Sequence, residues 1–123
     1  MLPQREIRVL LVEDDEHVAV AGTALLHEYG AAVDVVNDGK SVERAVDRFV
    51  PHVVVVDFHL PDTDGREVRR RIRDRAPHVP VILVSADRPD VRDLLDDGST
   101  VFLPKPHDGH VLIETIQRLV GAG

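Results

Sequence analysis

The sequence predicts an α/β fold, a doubly wound parallel sheet with helices on both faces. Two observations support this class: short continuous apolar runs recur along all 123 residues, and segments with apolar residues at helical spacing separate them. Continuous runs are typical of strands buried on both faces, and strands that alternate with helices form parallel sheets with right-handed crossovers. The length and the 43% hydrophobic, 30% charged composition suit a globular protein, so we expect residues 1–123 to form a single domain.

The first strand is predicted at residues 9–12, a run of valine and leucine that ends in acidic residues. A helix follows, because apolar residues recur at helical spacing: Val18, Ala21, Leu25 and Tyr29. Gly30 suits the left-handed position beyond a helix end. A second unit repeats this order, with a strand at Ala32–Val36, a turn at Asp38-Gly39 and a helix closed by Pro51. The apolar positions of that helix are Val42, Ala45, Val46 and Phe49.

The third strand is predicted at residues 53–56, four consecutive valines, and we expect it to be central because β-branched residues favour extended backbone. It ends at Asp57, and a loop with proline and glycine leads to an arginine-rich helix over residues 66–75. The apolar stripe of this helix comprises Val68, Ile72 and Ala76, so we interpret the arginines as a solvated face. The formal net charge of −7 also argues against direct nucleic-acid binding.

The last third of the chain predicts two further strands and a long final helix. Residues 81–84 form a buried strand that ends at Ser85, and residues 101–103 form a short strand before Lys105. Between these strands, Val91, Leu94 and Leu95 indicate only a brief helix. The final helix is predicted to begin near Asp108, a suitable N-cap. Its predicted inward residues are Val111, Leu112, Ile116, Leu119 and Val120.

The residues just after the predicted strands carry the candidate chemistry, because open parallel sheets bind ligands outside the carboxyl ends of their strands. They are Glu13, Asp14, Asp15, Asp57, Ser85 and Lys105. Carboxylate oxygens suit Mg²⁺, and a cation near them would allow the carboxylate of Asp57 to attack phosphorus. Each residue taken alone also fits a cap, a turn or a charged loop, but their joint placement favours a phosphoryl-transfer site.

The order of these residues resembles the receiver domains of response regulators, and the match covers nearly the whole chain. The motifs that carry it are Glu13-Asp14, Asp57 with Pro61 and Asp64-Gly65, Ser85-Ala86 and Lys105-Pro106. The resemblance implies a flavodoxin-like, five-stranded parallel sheet in the order 2-1-3-4-5. It also implies a signalling switch rather than an enzyme, which catalyses its own phosphorylation and slow dephosphorylation.

The resemblance also implies a role for each site residue. Asp57 would be the phosphoacceptor, and Ser85 and Lys105 would hold the phosphoryl group. The Mg²⁺ ligands would be Asp14, Asp57, the backbone carbonyl of His59 and, through water, Glu13. Asp15 is expected to be peripheral. The remaining roles implied are a switch formed by Ser85 and Phe102, and tuning of the phosphoryl lifetime by His59 and Asp87.

The partner implied by the resemblance is a histidine kinase that donates the phosphoryl group. Phosphorylation would act on the surface formed by the family's fourth helix, fifth strand and fifth helix, and would favour a homodimer or act on an effector domain or partner protein. The interval from Ser85 to Lys105 is shorter than the family pattern and leaves little room for a full fourth helix. A cysteine-free sequence without a secretory signal or membrane span predicts a cytoplasmic protein.

Two alternative functions stay open at this point. One is a degenerate receiver that only binds partners. The other is a phosphatase of the haloacid-dehalogenase type, which would place a second acid two residues after the nucleophile, where this chain has His59. We interpret His59 as a loop residue rather than a catalytic base or side-chain metal ligand, and His107 and His110 as surface residues.

Overall fold

The computed structural model describes residues 6–95, 98–105 and 108–121. Its five strands are β1 (Arg8–Val12), β2 (Ala32–Val36), β3 (Val53–Asp57), β4 (Val81–Ser85) and β5 (Thr100–Pro104). They form one sheet in the order β2-β1-β3-β4-β5, and every neighbouring pair is parallel. The predicted fold class and strand order are therefore confirmed, with the valine-rich β3 at the centre.

The helices begin and end close to the predicted residues. They are α1 (Glu16–Tyr29), α2 (Val42–Phe49), α3 (Gly65–Arg75) and α4 (Gly109–Val120). Gly30 ends α1 in the left-handed conformation, with φ of 100°, and the side chain of Asp108 caps α4 by accepting from the backbone N–H of His110 at 2.9 Å. Among the helices of the described residues, none combines the length and the apolar character that a membrane span requires.

The sheet separates two hydrophobic clusters. Alternating β-strand side chains pack with α2 and α3 on one face and with α1 and α4 on the other. Leu10, Val54 and Leu83 belong to the first cluster, and Leu11, Val55 and Ile82 belong to the second. Because all five strands are parallel, their carboxyl ends lie at one edge of the sheet, together with the predicted site residues.

The segment between β4 and β5 forms a short 3₁₀ turn, Arg92–Leu94, as the apolar pattern predicted. Val91 and Leu94 are buried in the same cluster as Leu83 of β4. Arg66 of α3 holds this turn from outside, with a bidentate contact of 2.6 and 3.1 Å to the carboxylate of Asp93. The turn thus covers this face of the sheet with two apolar side chains and an ion pair.

One expectation for side-chain orientation was wrong, and another holds for only part of the arginines of α3. Val111 is 42% exposed, because the buried residues of α4 are the predicted Leu112 and Ile116 together with Thr115. The arginines of α3 are not simply a solvated face. Nε of Arg69 donates to the Thr100 hydroxyl at 2.8 Å, because the start of β5 brings this polar group within reach of the helix.

Candidate functional site

Three carboxylates meet where β1 and β3 end. Glu13 and Asp14 directly follow β1, and Asp57 is the last residue of β3. One oxygen from each of these residues lies within 4.8 Å of the others. Glu13 is buried, with 3% of its surface exposed, whereas Asp14 is exposed. The structure therefore brings the predicted acidic residues together at the edge of the sheet.

Lys105 reaches this cluster from the end of β5. Its Nζ lies 3.3 Å from Oε1 of Glu13 and 3.8 Å from Oδ2 of Asp57. The backbone N–H of Lys105 donates to the carbonyl of Ser85 at 2.8 Å, which continues the β4–β5 pairing. The lysine side chain is thus a fixed positive charge between two carboxylates rather than a free loop residue.

The electrostatics of the cluster suit a divalent cation. The pKa of Glu13 is raised to about 7, mainly by burial and also by the adjacent carboxyl of Asp57, although the N–H of Asp15 and the charge of Lys105 oppose this shift. Clustered carboxylates repel one another, and Mg²⁺ prefers oxygen ligands from one or two carboxylates together with waters and a phosphate. The donor set of Glu13, Asp14 and Asp57 therefore fits such an ion.

The loop after Asp57 is tightly organised. The backbone N–H of His59 donates to Oδ1 of Asp57 at 3.2 Å, and the N–H of Gly65 donates to the carbonyl of Phe58 at 2.7 Å. Gly65 is buried, and a Cβ at this position would lie 2.9 Å from Cδ2 of Phe58. Asp64 caps α3 by accepting from the N–H of Glu67 at 3.0 Å. Glycine at position 65 therefore allows α3 to begin directly against β3.

A chain of polar contacts joins the carboxyl ends of β3 and β4, through Ser85, Asp87 and His59. The buried hydroxyl of Ser85 donates to Oδ1 of Asp87, and Oδ2 of Asp87 lies 2.8 Å from Nε2 of His59. These contacts lower the pKa of Asp87, with the Ser85 hydroxyl as the larger cause. The two predicted tuning residues thus contact each other, and Asp87 also contacts the predicted switch serine.

The remaining predicted residues lie as follows. Phe102 in β5 is half-buried and packs against the cluster that contains Leu83. Asp15 is the N-cap of α1, where its side chain accepts from the backbone N–H groups of His17 and Val18. The side chain of Asp15 thus caps α1, and its peripheral role in the site stays a prediction. Pro106 and His107 lie outside the described residues.

The sequence analysis did not identify three polar residues near the site. Asn37, Lys40 and Asp62 form hydrogen bonds that join the loops around the acidic cluster. The Asp38-Gly39 turn was a local signal for this region. No short motif connects it with Asp62, because the hydrogen bond from the N–H of Gly39 to Asp62 spans 23 positions.

Comparisons with known proteins find relatives of this chain. A family model described as the response regulator receiver domain matches residues 9–117. The transcriptional regulatory protein TrcR of Mycobacterium tuberculosis is 36% identical over 118 residues, which cover 94% of this chain and 44% of that protein. CseB of Streptomyces coelicolor is 37% identical over 117 residues, which cover 94% and 50%. This chain spans about half the length of these curated relatives.

Solved structures share the fold. The receiver domain of sensor histidine kinase PA1611 from Pseudomonas aeruginosa, which has a magnesium ion coordinated in its active-site cleft, is 27% identical, with a TM-score of 0.82. That match covers 96% of this chain and 100% of the other. The BeF3-activated N-terminal receiver domain of RstA from Klebsiella pneumoniae is 25% identical, with a TM-score of 0.81 and coverage of 92% and 97%. The chain belongs to the response regulator receiver domain family.

Proposed function

We propose that residues 1–123 form a single receiver unit that accepts a phosphoryl group on Asp57 from a histidine kinase. The observation that carries this proposal is the placement of the Asp57 carboxylate beside Glu13 and Asp14 and 3.8 Å from the ammonium of Lys105. A phosphoacceptor needs this combination of a reactive oxygen and positive charge for the incoming group.

Glu13, Asp14, Asp57 and the backbone carbonyl of His59 would hold Mg²⁺. When bound, the ion would offset the repulsion among the carboxylates and between them and the phosphoryl group. This assignment is supported by the burial of Glu13 beside Asp57, because the charge of Lys105 offsets only part of the cost of burying this carboxylate. The magnesium in the cleft of the PA1611 receiver domain supports it as well.

The transfer itself is a displacement at phosphorus. An oxygen of Asp57 attacks, the new O–P bond forms, and the P–N bond to the kinase histidine breaks with its electron pair left on the imidazole nitrogen. Lys105 would neutralise a phosphoryl oxygen, and the Ser85 hydroxyl would donate to another. The same site would then hydrolyse the acyl phosphate slowly. The protein would thus catalyse both its own phosphorylation and its own dephosphorylation, as a signalling switch.

The switch would act through Ser85 and Phe102. Movement of the serine toward the phosphoryl group would turn the aromatic ring inward and change the surface beside β5 and α4. His59 and Asp87, which contact each other at the mouth of the site, would tune how long the group survives. A homodimer on phosphorylation belongs to this proposal, and it would be contradicted if sedimentation stayed monomeric with a phosphodonor and with its mimic.

The input and the output of the switch are also part of the proposal. The similar regulators TrcR and CseB are described as transcriptional regulatory proteins and are about twice as long as this chain. We therefore propose a histidine kinase as input and an effector domain or partner protein as output, in the cytoplasm, without direct nucleic-acid binding by this domain.

The decisive experiment is the intact mass of the protein after incubation with a small phosphodonor, with and without Mg²⁺. We expect a metal-dependent gain of one phosphoryl group that Asp57→Asn loses. Asp15→Asn is the matched control, because Asp15 caps α1 and is expected to leave the gain unchanged. A folded protein that gains no phosphoryl group would contradict the proposal and favour a degenerate binding module. Rapid turnover of a phosphate ester would favour the phosphatase instead.

A further inference from the structure

The loop between β2 and α2 contacts the acidic end of β1. The Nδ2 group of Asn37 donates to the backbone carbonyl of Glu13 at 3.2 Å, and the N–H of Glu13 donates to the carbonyl of Val36 at 3.0 Å. The backbone of Glu13 is therefore held on both sides by residues 36–37. None of the predicted site residues lies in this loop, so its contacts need a separate explanation.

The same loop also contacts the segment that follows Asp57. The backbone N–H groups of Gly39 and Lys40 donate to the two carboxylate oxygens of Asp62, at 2.8 and 3.0 Å. Both oxygens of Asp62 are thus used. These amide hydrogen bonds lower the pKa of Asp62, with the N–H of Gly39 as the first cause, so the carboxylate stays ionised at neutral pH.

Close packing at Gly39 limits which residue can occupy this position. Gly39 is buried, and a Cβ at this position would clash with Cγ2 of Thr63 and would lie 3.3 Å from Oδ1 of Asp62. Only a residue without a side chain allows the two loops to approach this closely. The contact therefore joins the backbone of residues 39–40 to the carboxylate of Asp62, and glycine at position 39 allows the approach.

The segment from Phe58 to Gly65 is tied back on itself, so that Asp62 at its tip is coupled to His59 at its base. The N–H of Leu60 donates to the carbonyl of Thr63 at 3.2 Å, and His59 forms an antiparallel bridge with Asp64. A displacement of Asp62 would therefore reach the backbone of His59, which carries a proposed metal ligand two residues from Asp57.

We propose that Asp62, bound to Gly39 and Lys40, is a positioning residue of the metal site. Together with Asn37 it forms a brace that holds the Asp57 loop at a set distance from the acidic pair of β1. This inference rests on the magnesium-dependent phosphoryl transfer proposed above and explains why a loop without predicted site residues joins both ligand-bearing segments.

The brace matters because of the geometry that Mg²⁺ requires. The ion demands near-ideal octahedral coordination at short distances and tolerates displaced ligands poorly. Residues that orient metal ligands from outside typically change affinity by roughly 10-fold or more when they are removed. We therefore expect the affinity for Mg²⁺ to depend on Asp62, although its side chain does not belong to the acidic cluster.

The test measures Mg²⁺ binding by calorimetry for the unaltered chain, Asp62→Ala, Asp62→Asn and Asp38→Ala, together with their thermal midpoints. Asp38→Ala is the matched control, because its carboxylate caps the same loop at the N–H of Ser41 and, within the part of the chain that the structure describes, forms no hydrogen bond with the Asp57 loop. We expect the Kd for Mg²⁺ to rise about 10-fold in Asp62→Ala and less in Asp62→Asn, which keeps one acceptor oxygen, and to stay unchanged in Asp38→Ala. Phosphorylation of the Asp62 variants should recover at saturating Mg²⁺.

The outcomes separate this proposal from the function on which it rests. If the unaltered chain neither binds Mg²⁺ nor gains a phosphoryl group, the proposed function fails. If the unaltered chain binds Mg²⁺ and folded Asp62→Ala binds it equally well, the brace is wrong. An equal loss of affinity in Asp38→Ala would show a merely structural role and would also overturn it. Asp62→Asn, a milder change, decides the matter if the alanine variant does not fold.

Discussion

Asp87 accepts the hydrogen bond of the Ser85 hydroxyl at the end of β4. The other oxygen of Asp87 lies 2.8 Å from Nε2 of His59, so the carboxylate joins the loop after β4 to the loop after β3. In this state the hydroxyl of Ser85 is committed to a carboxylate. Ser85 can therefore donate to a phosphoryl group only after this hydrogen bond breaks. Asp87 thus competes with the phosphoryl group for the serine hydroxyl.

Replacing Asp87 with alanine should favour the phosphorylated state. The change frees the Ser85 hydroxyl and removes a negative charge from the mouth of the site. We expect the Kd for the phosphoryl mimic beryllofluoride, measured in the presence of Mg²⁺, to fall by roughly five-fold, the size expected for the loss of one competing hydrogen bond. Asp90→Ala is the control, because it removes the same charge from the same segment, where Asp90 pairs with Arg92. An equal effect in both variants would show that charge, and not the hydrogen bond, is responsible.

The affinity for Mg²⁺ should rise with pH through neutrality. The folded pKa of Glu13 is about 7, above its ordinary value, so a large fraction of this carboxyl is protonated below pH 7 and a cation must displace the proton. Without metal, the folded state loses stability as pH rises from the ordinary pKa of a glutamate to about 7, because Glu13 ionises more readily in the unfolded chain. Bound Mg²⁺ offsets this loss of stability. We expect the Kd to be roughly ten-fold lower at pH 8 than at pH 6.

Calorimetry at several pH values, in buffers of different ionisation enthalpy, would check this by counting the protons released. In Glu13→Gln, which cannot ionise, both the proton release and most of the pH dependence should disappear. A Kd that stays constant from pH 6 to pH 8 in the unaltered chain would contradict the assignment of Glu13 as the titrating group.

Local patterns were enough to predict the sheet and the acidic cluster. Four consecutive valines identify β3, and its last residue, Asp57, lies where parallel strands place their carboxyl ends. The Asp62 contact with Gly39 and the Arg66 contact with Asp93 could not be predicted, because they join side chains to loops 23 and 27 positions away. Loop conformation decides such contacts, and periodicity carries no information about it. The contact of Ser85 with Asp87 is local, but a serine and an aspartate two positions apart have many alternative partners.

Gly65→Ala should destabilise the protein and disturb the site. A Cβ at this position would lie 2.9 Å from Cδ2 of Phe58 and 3.2 Å from Cδ2 of Leu83, both in the core cluster of that face. We expect a loss of about 1–3 kcal/mol in the free energy of unfolding, measured with urea, because an added methyl group forces a packed region apart. Arg70→Ala, on the exposed face of the same helix, should leave the urea midpoint nearly unchanged. Unaltered stability of Gly65→Ala would show that α3 can move away from β3 freely.

Arg66→Gln should loosen the segment between β4 and β5 without unfolding the domain. Arg66 donates to both carboxylate oxygens of Asp93 and, at 2.8 Å, to the carbonyl of Asp90, so it fixes the 3₁₀ turn from α3. Because these groups are largely exposed, salt screens their attraction and the effect on global stability should be small.

Amide hydrogen exchange of residues 90–95 checks this last expectation. Protection of these amides should fall in Arg66→Gln and should fall in the unaltered chain when salt is added, while β3 stays protected in both cases. Val91 and Leu94 would continue to hold the segment through their burial. If protection of residues 90–95 is unchanged in the variant, apolar packing alone fixes the turn, and Arg66 does not order the segment between β4 and β5.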